Sequence, residues 1–244
     1  VEEFARRDVH IEDGVRLVRG ELRFDKGPGP FDNWQPRPFV PRFERVKSGR
    51  LCVWSPPQLR HAYCAGIDTA QGVGYDASVG WVLDVTTGRQ VAEWWSKDTE
   101  LEPFADEMVA LGYWYNTALL YPEINSIGRV VMKRMRRVWK YPRVGLEERW
   151  DEPTLKDGKY GFMMTEELKE ELVRRMLWFV RERYLAIASD KTLSELSTFE
   201  QDGESFGAAA GSHDDCVIAA GLACMAVQQT PKFYASMTRA RHEP

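Results

Sequence analysis

Two short apolar segments of the chain each lead into a carboxylate. Tyr63–Ile67 consists of small or apolar residues and is followed directly by Asp68, and the apolar run Thr117–Tyr121 comes just before Glu123. Runs of this length and composition are typical of strands in the middle of a sheet. A carboxylate is costly to bury alone, so each acid requires a cation, hydrogen-bond donors or a water-filled cleft.

A third acidic position comes near the end of the chain. His213, Asp214 and Asp215 precede an Ala-rich segment that is apolar on nearly every side and extends to Val227, which predicts a buried helix. Each acidic position also has a structural explanation when taken singly. Asp68 can begin a turn, Glu123 can be a solvated residue after a strand, and acids in a first helical turn complement the helix dipole.

Taken together, the three positions favour a metal site. Carboxylates gathered at one end of a sheet repel one another and take up protons unless a cation is present. Oxygen ligands without cysteine or clustered histidine favour Mg²⁺ or Mn²⁺. Two such ions can activate water and stabilise the leaving oxygen during phosphodiester cleavage. Asp76 follows Asp68 by eight residues and is a further, weaker candidate ligand.

The intervening sequence predicts an α/β fold with a mixed central sheet. Three consecutive antiparallel strands are followed by a helix with a Thr99 capping box and then by a strand parallel to the first. A long helix begins at Thr165, and a further strand is expected between it and the last helix. The predicted strands are 62–67, 78–85, 90–95, 117–121 and 192–199, with an edge strand at 51–54, and the predicted helices are 99–113, 127–139, 165–184 and 214–227.

A strongly basic segment follows Glu123. Its residues from 129 to 143 include seven Lys or Arg and no acid, and a single-sign face of this kind can hold a phosphate backbone. The alternative is a solvated helix face whose charges pair with acids elsewhere, such as Glu147, Glu148 or Glu170. An Asp157–Gly158 pair predicts a projecting β-hairpin insertion. The candidate DNA-binding residues are Arg129, Lys133, Arg136, Arg137 and Lys140 on the helix, and Lys156 and Lys159 at the hairpin tip.

Composition narrows the function classes. The chain has 244 residues and a net charge of −4, which argues against a protein that coats nucleic acid through bulk charge but not against a local basic groove. It contains no signal peptide and no apolar run long enough to span a membrane. The four cysteines lack zinc-binding spacing, so free thiols in a cytoplasmic setting are expected. We predict an arm or linker with short strands at 1–58, a catalytic domain at 59–230 and a tail at 231–244.

Several motifs together resemble the nuclease domain of the large terminase subunit of tailed bacteriophages, over roughly residues 50–228. They are Leu51-Cys-Val-Trp-Ser-Pro-Pro, Tyr63-Cys-Ala-Gly-Ile-Asp-Thr-Ala-Gln-Gly, Pro122-Glu-Ile-Asn, Tyr160-Gly-Phe-Met-Met-Thr, Leu193-Ser-Glu-Leu-Ser-Thr-Phe and Gly211-Ser-His-Asp-Asp-Cys-Val-Ile-Ala-Ala. The resemblance implies a ribonuclease H-like fold and metal-dependent cutting of concatemeric viral double-stranded DNA in the host cytoplasm. It also implies the portal protein, the small terminase subunit and an ATPase motor as partners.

The same resemblance assigns roles to individual residues. Asp68 matches the first-strand acid that bridges the metals, Glu123 the second acid, and either Asp214 or Asp215 the third. His213 is a candidate phosphate contact, with helix capping or packing as the alternative. Gly66 and Gly72, on either side of Asp68, are interpreted as room for metal and phosphate to approach.

One feature departs from a complete large terminase. The sequence contains no Gly-x-x-x-x-Gly-Lys-Ser/Thr phosphate loop, so we expect the chain to cut DNA without translocating it, as an excised C-terminal domain would. Other nucleases of this fold, such as a junction resolvase, a ribonuclease H or a transposase core, remain alternatives. More distant ones are an actin-like ATPase and a non-catalytic module that docks on portal or capsid proteins.

Overall fold

The computed structural model describes residues 17–24, 41–70, 76–146, 160–202, 205–208 and 213–230. Within these ranges lie all four candidate acids and the whole basic helix. The hairpin predicted around Asp157–Gly158, with Lys156 and Lys159, lies outside the described residues, as does Gly72.

The central element is a seven-stranded sheet with the order β2-β1-β3-β6-β5-β4-β7. All neighbouring strands are antiparallel except β4 and β7, which are parallel. A separate antiparallel pair is formed by β8 and β9. The strands are β1 Val18–Arg23, β2 Arg42–Arg45, β3 Leu51–Val53, β4 Tyr63–Asp68, β5 Ser78–Asp84, β6 Arg89–Ser96, β7 Leu119–Pro122, β8 Phe199–Asp202 and β9 Ser205–Ala208.

Helices cover both faces of the sheet and create two cores. On one face, α1 and the basic segment pack against side chains such as Ala65 and Val82. On the other face, α3 and α5 pack against side chains such as Cys64 and Trp81. The helices are α1 Leu101–Trp114, α2 Gly128–Lys133 with a π-helical continuation Arg134–Val138, α3 Glu166–Arg181, α4 Asp190–Ser197 and α5 Asp215–Ala226 with a 3-10 turn Val227–Gln229.

The main expectations for the fold are confirmed. The three antiparallel strands, the parallel fourth strand and the buried last helix are all present, in a mixed sheet flanked by helices. Thr165 caps α3 as predicted, because its side chain accepts a hydrogen bond from the Leu168 amide. This architecture could therefore be predicted largely from the alternation of buried strands with amphipathic helices.

Two local predictions are wrong. The strand expected at 192–199 is helix α4, and only Phe199 begins strand β8. Ser189 explains the difference, because its hydroxyl accepts a hydrogen bond from the Thr192 amide and caps a first helical turn. The Thr99 capping box is also absent, since α1 begins after Glu100 without a side-chain cap and the Thr99 hydroxyl donates to Ser96 Oγ instead.

The N-terminal strands extend the central sheet. β3 was expected at an edge, but it lies between β1 and β6 and hydrogen-bonds with both. β1 in turn pairs with β2, and its residues Val18 and Leu22 are buried. The arm predicted at residues 1–58 therefore contributes three strands to the sheet that carries the acids.

Close contact between β4 and α5 fixes the last helix against the sheet. A Cβ atom at Gly66 would overlap the Ala219 carbonyl oxygen and the Ala223 amide nitrogen. Gly66 is therefore required for helix packing, and the interpretation of this glycine as space for metal and phosphate is wrong. This contact helps hold the start of α5 at the end of β4, where Asp68 lies.

Candidate active site

Asp68 and Glu123 lie side by side at the ends of the neighbouring parallel strands β4 and β7. Asp68 is the last residue of β4, and the pairing of Ile67 with Pro122 places Glu123 beside it in the next register position. The Glu123 amide donates to the Ile67 carbonyl at 2.9 Å, and the two carboxyl groups are hydrogen-bonded to each other. The predicted meeting of these two acids is therefore present in the fold.

A second chain segment holds Glu123 from the other side. The Ile124 amide donates to the Phe162 carbonyl at 2.9 Å, and the Phe162 amide donates to the Pro122 carbonyl at 2.8 Å. Asn125 joins the same segment through two bonds of 2.8 Å, because its side-chain amide donates to the Met164 carbonyl and its side-chain carbonyl accepts from the Met164 amide. Glu123 is thus fixed by backbone pairing on both sides.

Asp215 enters the same site from the first turn of α5. It is only 7% exposed, and its Oδ2 accepts a hydrogen bond from the Ala77 amide at 2.9 Å, just before β5. Glu195 of α4 satisfies the amides of Cys216 and Val217 at 2.7 and 3.2 Å. Glu195 therefore caps α5 and leaves the Asp215 carboxylate free to face the other acids.

The electrostatics of the three acids are those of a crowded, partly desolvated cluster. Burial raises the pKa of Asp68 well above its ordinary value, and the neighbouring charges of Glu123 and Asp215 raise it further. Burial also raises the pKa of Glu123, against the opposing effect of its hydrogen bond to Asp68. Burial raises the pKa of Asp215 to about 6, although the Ala77 amide opposes this shift. A bound cation would relieve this repulsion and restore the ionised forms.

Asp214 has a different environment from Asp215. It lies at the N-cap position of α5 and makes no capping hydrogen bond, but its Oδ2 accepts from Lys169 Nζ at 2.9 Å. The positive charge of Lys169 also opposes the rise in the pKa of Glu123 that burial causes. Lys169 was not recognised from the sequence, since nothing in the local pattern distinguishes a lysine that points to the site from one that faces solvent.

Asp76 and His213 extend the cluster towards solvent. One potential ligand atom each from Asp76, His213 and Asp215 lies within 4.8 Å of the others. His213 Nδ1 is 3.7 Å from Asp76 Oδ1, and Lys97 Nζ is 3.3 Å from His213 Nε2. The structure therefore brings both of these candidate residues to the rim of the acidic site. Lys97 was not recognised from the sequence.

The donor set fits a hard divalent cation. Asp68, Glu123 and Asp215 offer carboxylate oxygens, which Mg²⁺ and Mn²⁺ favour. The Thr69 hydroxyl oxygen, directly after Asp68, is buried and has no hydrogen-bond partner among the described atoms. A buried polar atom without a partner is unfavourable, so the site is chemically incomplete without a further polar species.

The basic helix starts next to Glu123. A Cβ atom at Gly128, the first residue of α2, would overlap the Glu123 carbonyl oxygen and would lie 3.9 Å from the Thr69 hydroxyl oxygen. Arg129, Lys133, Arg137 and Lys140 are exposed, whereas Val131, Met135 and Trp139 are buried. In an α-helix, residues four positions apart are rotated by about 40° from one another around the helix axis. The wider π-helical turn reduces this rotation, so the exposed basic residues and the buried apolar residues stay on opposite sides of the helix.

Three of the basic side chains are held by the protein itself. Arg134 makes a two-pronged salt bridge to Asp106, and Arg143 donates to the Thr117 carbonyl. Arg136 packs over the Tyr160 ring at 3.9 Å and donates to its hydroxyl. Of the acids considered as alternative partners of this face, Glu170 pairs with Arg174, whereas Glu147 and Glu148 lie outside the described residues. Within the described ranges, Arg129, Lys133, Arg137 and Lys140 form no ion pair.

A comparison with known protein families identifies the family of this chain. The sequence profile of the family described as "Terminase RNaseH-like domain" matches residues 65–226, which is well over half of the chain and includes every candidate acid. The chain belongs to this family. The resemblance inferred from the motifs is confirmed, as is the ribonuclease H-like fold class. No match was found among the curated proteins.

Solved structures of terminase nuclease domains share the fold. The cobalt-bound large terminase nuclease of the thermophilic phage G20c is 20% identical with a TM-score of 0.60, over 74% of this chain and 89% of that chain. Its magnesium-bound form is 21% identical with a TM-score of 0.58 over the same shares. The large terminase nuclease domain of Thermus phage P74-26 is 20% identical with a TM-score of 0.54, over 73% of this chain and 86% of that chain.

The described helices also bear on the membrane prediction. None of them is both long and apolar enough to cross a bilayer.

Proposed function

We propose that this terminase domain is a Mg²⁺- or Mn²⁺-dependent endonuclease that cuts double-stranded viral DNA concatemers by two-metal phosphodiester hydrolysis. The observation that carries the proposal is the convergence of Asp68, Glu123 and Asp215 from three separate elements on one partly buried site with raised carboxyl pKa values. Acids gathered at the ends of β4 and β7 with raised pKa values are typical of a functional site.

The residues divide into three groups. Asp68, Glu123 and Asp215 would hold the metal ions, with Asp76 as an outer ligand and Asp214 held back by Lys169. The ions, when bound, would lower the pKa of a water molecule and neutralise charge on the phosphate. His213, at the rim, would donate to a phosphate oxygen, and the Ala77 amide would keep Asp215 oriented.

DNA would lie along the exposed row of the basic helix. Arg129 stands at its start, next to Glu123, and the row continues through Lys133, Arg137 and Lys140. Such a row contacts phosphates and positions the duplex without reading its sequence. Arg136 has a positioning role instead, because it is held against Tyr160. Lys156 and Lys159 remain candidate DNA contacts from the sequence.

The proposed setting is genome packaging. The solved structures that share this fold are large terminase nucleases. A nuclease of this kind would act with an ATPase motor domain, the portal protein and the small terminase subunit in the cytoplasm of an infected host cell. The ATPase motor would belong to the same polypeptide. These partners are part of the proposal for this chain.

Plasmid cutting tests the proposal. The purified domain should linearise and then degrade supercoiled plasmid in Mn²⁺, and Asp68→Asn should abolish this activity because an amide removes the charge that holds the metals. Glu182→Gln, which alters an exposed acid at the far end of α3, is the matched control and should cut normally. Full cutting by a folded Asp68→Asn protein would contradict the proposal.

The substrate assignment needs its own comparison. Equal amounts of linear duplex, four-way junction and RNA–DNA hybrid should be presented to the protein in Mn²⁺. We expect duplex DNA to be cut at least as fast as the other two. Strong preference for the junction or the hybrid would place the domain with the resolvases or the ribonucleases H and would overturn the duplex assignment.

A further inference from the structure

A second charged cleft adjoins the acidic site on the side away from the basic helix. Asp68 pairs with Val79, and Val79 pairs with Trp95 of β6. Directly opposed residues project to the same face of a sheet, and neighbouring strands lie about 4.8 Å apart. Trp95 is therefore on the same face and in the same row as Asp68, about 10 Å away across the sheet.

The cleft at Trp95 has the residue types of a phosphate-binding surface. It is a cavity of about 370 Å³ that reaches from Asp215 and His213 to α4. Lys97 Nζ lies 3.3 Å from His213 Nε2, and Lys191 Nζ lies 3.2 Å from the centre of the Trp95 ring. Two lysines are thus held in place directly beside the proposed catalytic acids.

An adjoining cavity continues the same surface along the N-terminal strands. It has a volume of about 430 Å³, shares Trp95, Lys97 and Lys191 with the first cavity, and is also lined by Arg19 and Arg50. The Trp95 amide donates to the Arg50 carbonyl at 3.1 Å, so Arg50 follows Trp95 in the same row. The row of cross-strand neighbours that starts with Glu123 and Asp68 therefore reaches a basic residue, Arg50, at its other end.

Two acids of this region accept hydrogen bonds from the protein. Glu93 accepts hydrogen bonds from Gln90 and Thr192, and Glu195 accepts from the two first-turn amides of α5. Asp98 and Asp190 are exposed at the rim, where water screens their charges. Glu195 and Asp215 also line the cleft, but both carboxylates accept backbone hydrogen bonds, and Lys97 and Lys191 supply the cationic side chains of the lining.

We propose that the cleft lined by Trp95, Lys97 and Lys191 binds the DNA backbone on the far side of the cutting site, so that the duplex is held on both sides of the acids. This inference rests on the proposed nuclease function and adds a second contact surface to it. The basic helix holds one arm of the duplex next to Glu123, and the cleft holds the other arm next to His213. Arg19 and Arg50 of the N-terminal segment extend the surface that holds this second arm of the duplex.

The test compares DNA binding of charge-removed variants by fluorescence anisotropy with a 30-base-pair duplex in Mg²⁺. All proteins carry Asp68→Asn to prevent cutting. Each lost duplex phosphate contact lowers the slope of log K against log salt by about 0.9. Lys97→Gln/Lys191→Gln should therefore lower the slope by about 1.8 and weaken binding at least fivefold at low salt.

A matched double variant controls for net charge. Arg89→Gln/Arg183→Gln removes two exposed charges at the opposite end of β6 and should leave the slope and the affinity unchanged. Circular dichroism melting should confirm that both double variants fold. An unchanged salt slope for Lys97→Gln/Lys191→Gln, or an equal loss in the control, would overturn the cleft assignment.

The two proposals fail differently. If the cleft assignment is wrong, the wild-type domain still cuts plasmid DNA, and only the lysine variants behave unexpectedly. If the nuclease proposal is wrong, the wild-type domain does not cut DNA in Mn²⁺, whatever the lysine variants do.

Discussion

At the scale of single residues, Asp214 and Asp215 show what the sequence could and could not reveal. The adjacent acids look equivalent in the sequence, and the motif match left either of them as the third ligand. Their surroundings differ in the structure, because Asp214 is paired with Lys169, whereas Asp215 is buried, accepts from the Ala77 amide and has a pKa raised by burial to about 6. The distinction depends on Lys169, which lies 45 residues before Asp214, so no local pattern contains it.

This difference leads to an expectation for the two acids. Asp215→Asn should reduce Mn²⁺-dependent cutting by at least a hundredfold, since it removes a ligand, whereas Asp214→Asn should reduce it by less than tenfold. Initial rates of plasmid linearisation measure both effects, with melting curves as the folding control. A larger loss from Asp214→Asn would reverse the assignment.

The raised carboxyl pKa values predict how pH and metal act on stability. A carboxyl group whose pKa is higher in the folded state stabilises the fold below its unfolded pKa, and this contribution is lost as pH rises through the folded pKa. For Asp215 that window runs from about 4 to about 6. Metal binds the ionised acids, so the increase in Tm caused by Mn²⁺ should be small at pH 5 and larger at pH 7.5.

Differential scanning fluorimetry at the two pH values measures this effect. The Asp68→Asn protein is the control, because it lacks one ligand and should show a smaller Mn²⁺-induced increase at pH 7.5. An Mn²⁺ effect that is equal at both pH values, or absent in the wild type, would show that the acids do not bind metal.

At the scale of elements, periodicity predicted which segments form the sheet but not how tightly they pack. Gly66 was interpreted from its position beside Asp68 as room for ligands, yet it faces the backbone of α5. The contact joins residues more than 150 positions apart, so the sequence alone gives no sign of it. Helix α4 was missed for a different reason. Its first turn is capped by the hydrogen bond from the Thr192 amide to Ser189, and in the sequence these polar residues look like the end of a strand.

The Gly66 contact has a measurable consequence. Gly66→Ala places a methyl group against backbone atoms of α5, which cannot rotate away, and should lower the free energy of unfolding by about 1–3 kcal/mol or more. Urea denaturation measures the change. Thr87→Ala, in the exposed turn before β6, is the control and should stay within about 0.5 kcal/mol of wild type. Equal stability of the two variants would contradict the packing role.

At the scale of the whole molecule, the sheet connects the catalytic acids with the surfaces proposed to hold DNA. The antiparallel strands and the parallel β7 were evident from the sequence, because each is a buried apolar run between turn residues. Short strands within 1–58 and an edge strand at 51–54 were predicted, but their pairing into the central sheet was not, since this segment is rich in proline and charge and its pairing partners lie far along the chain. The domain boundary predicted at 59 therefore divides one sheet.

The central claim is that Asp68, Glu123 and Asp215 form one metal-binding site. X-ray diffraction from crystals soaked in Mn²⁺, recorded at the manganese absorption edge, tests it most directly. We expect anomalous density between the three carboxylates, with Asp68 as a ligand. Anomalous density confined to the rim at Asp76 and His213, or no density in a fully soaked crystal, would contradict the account.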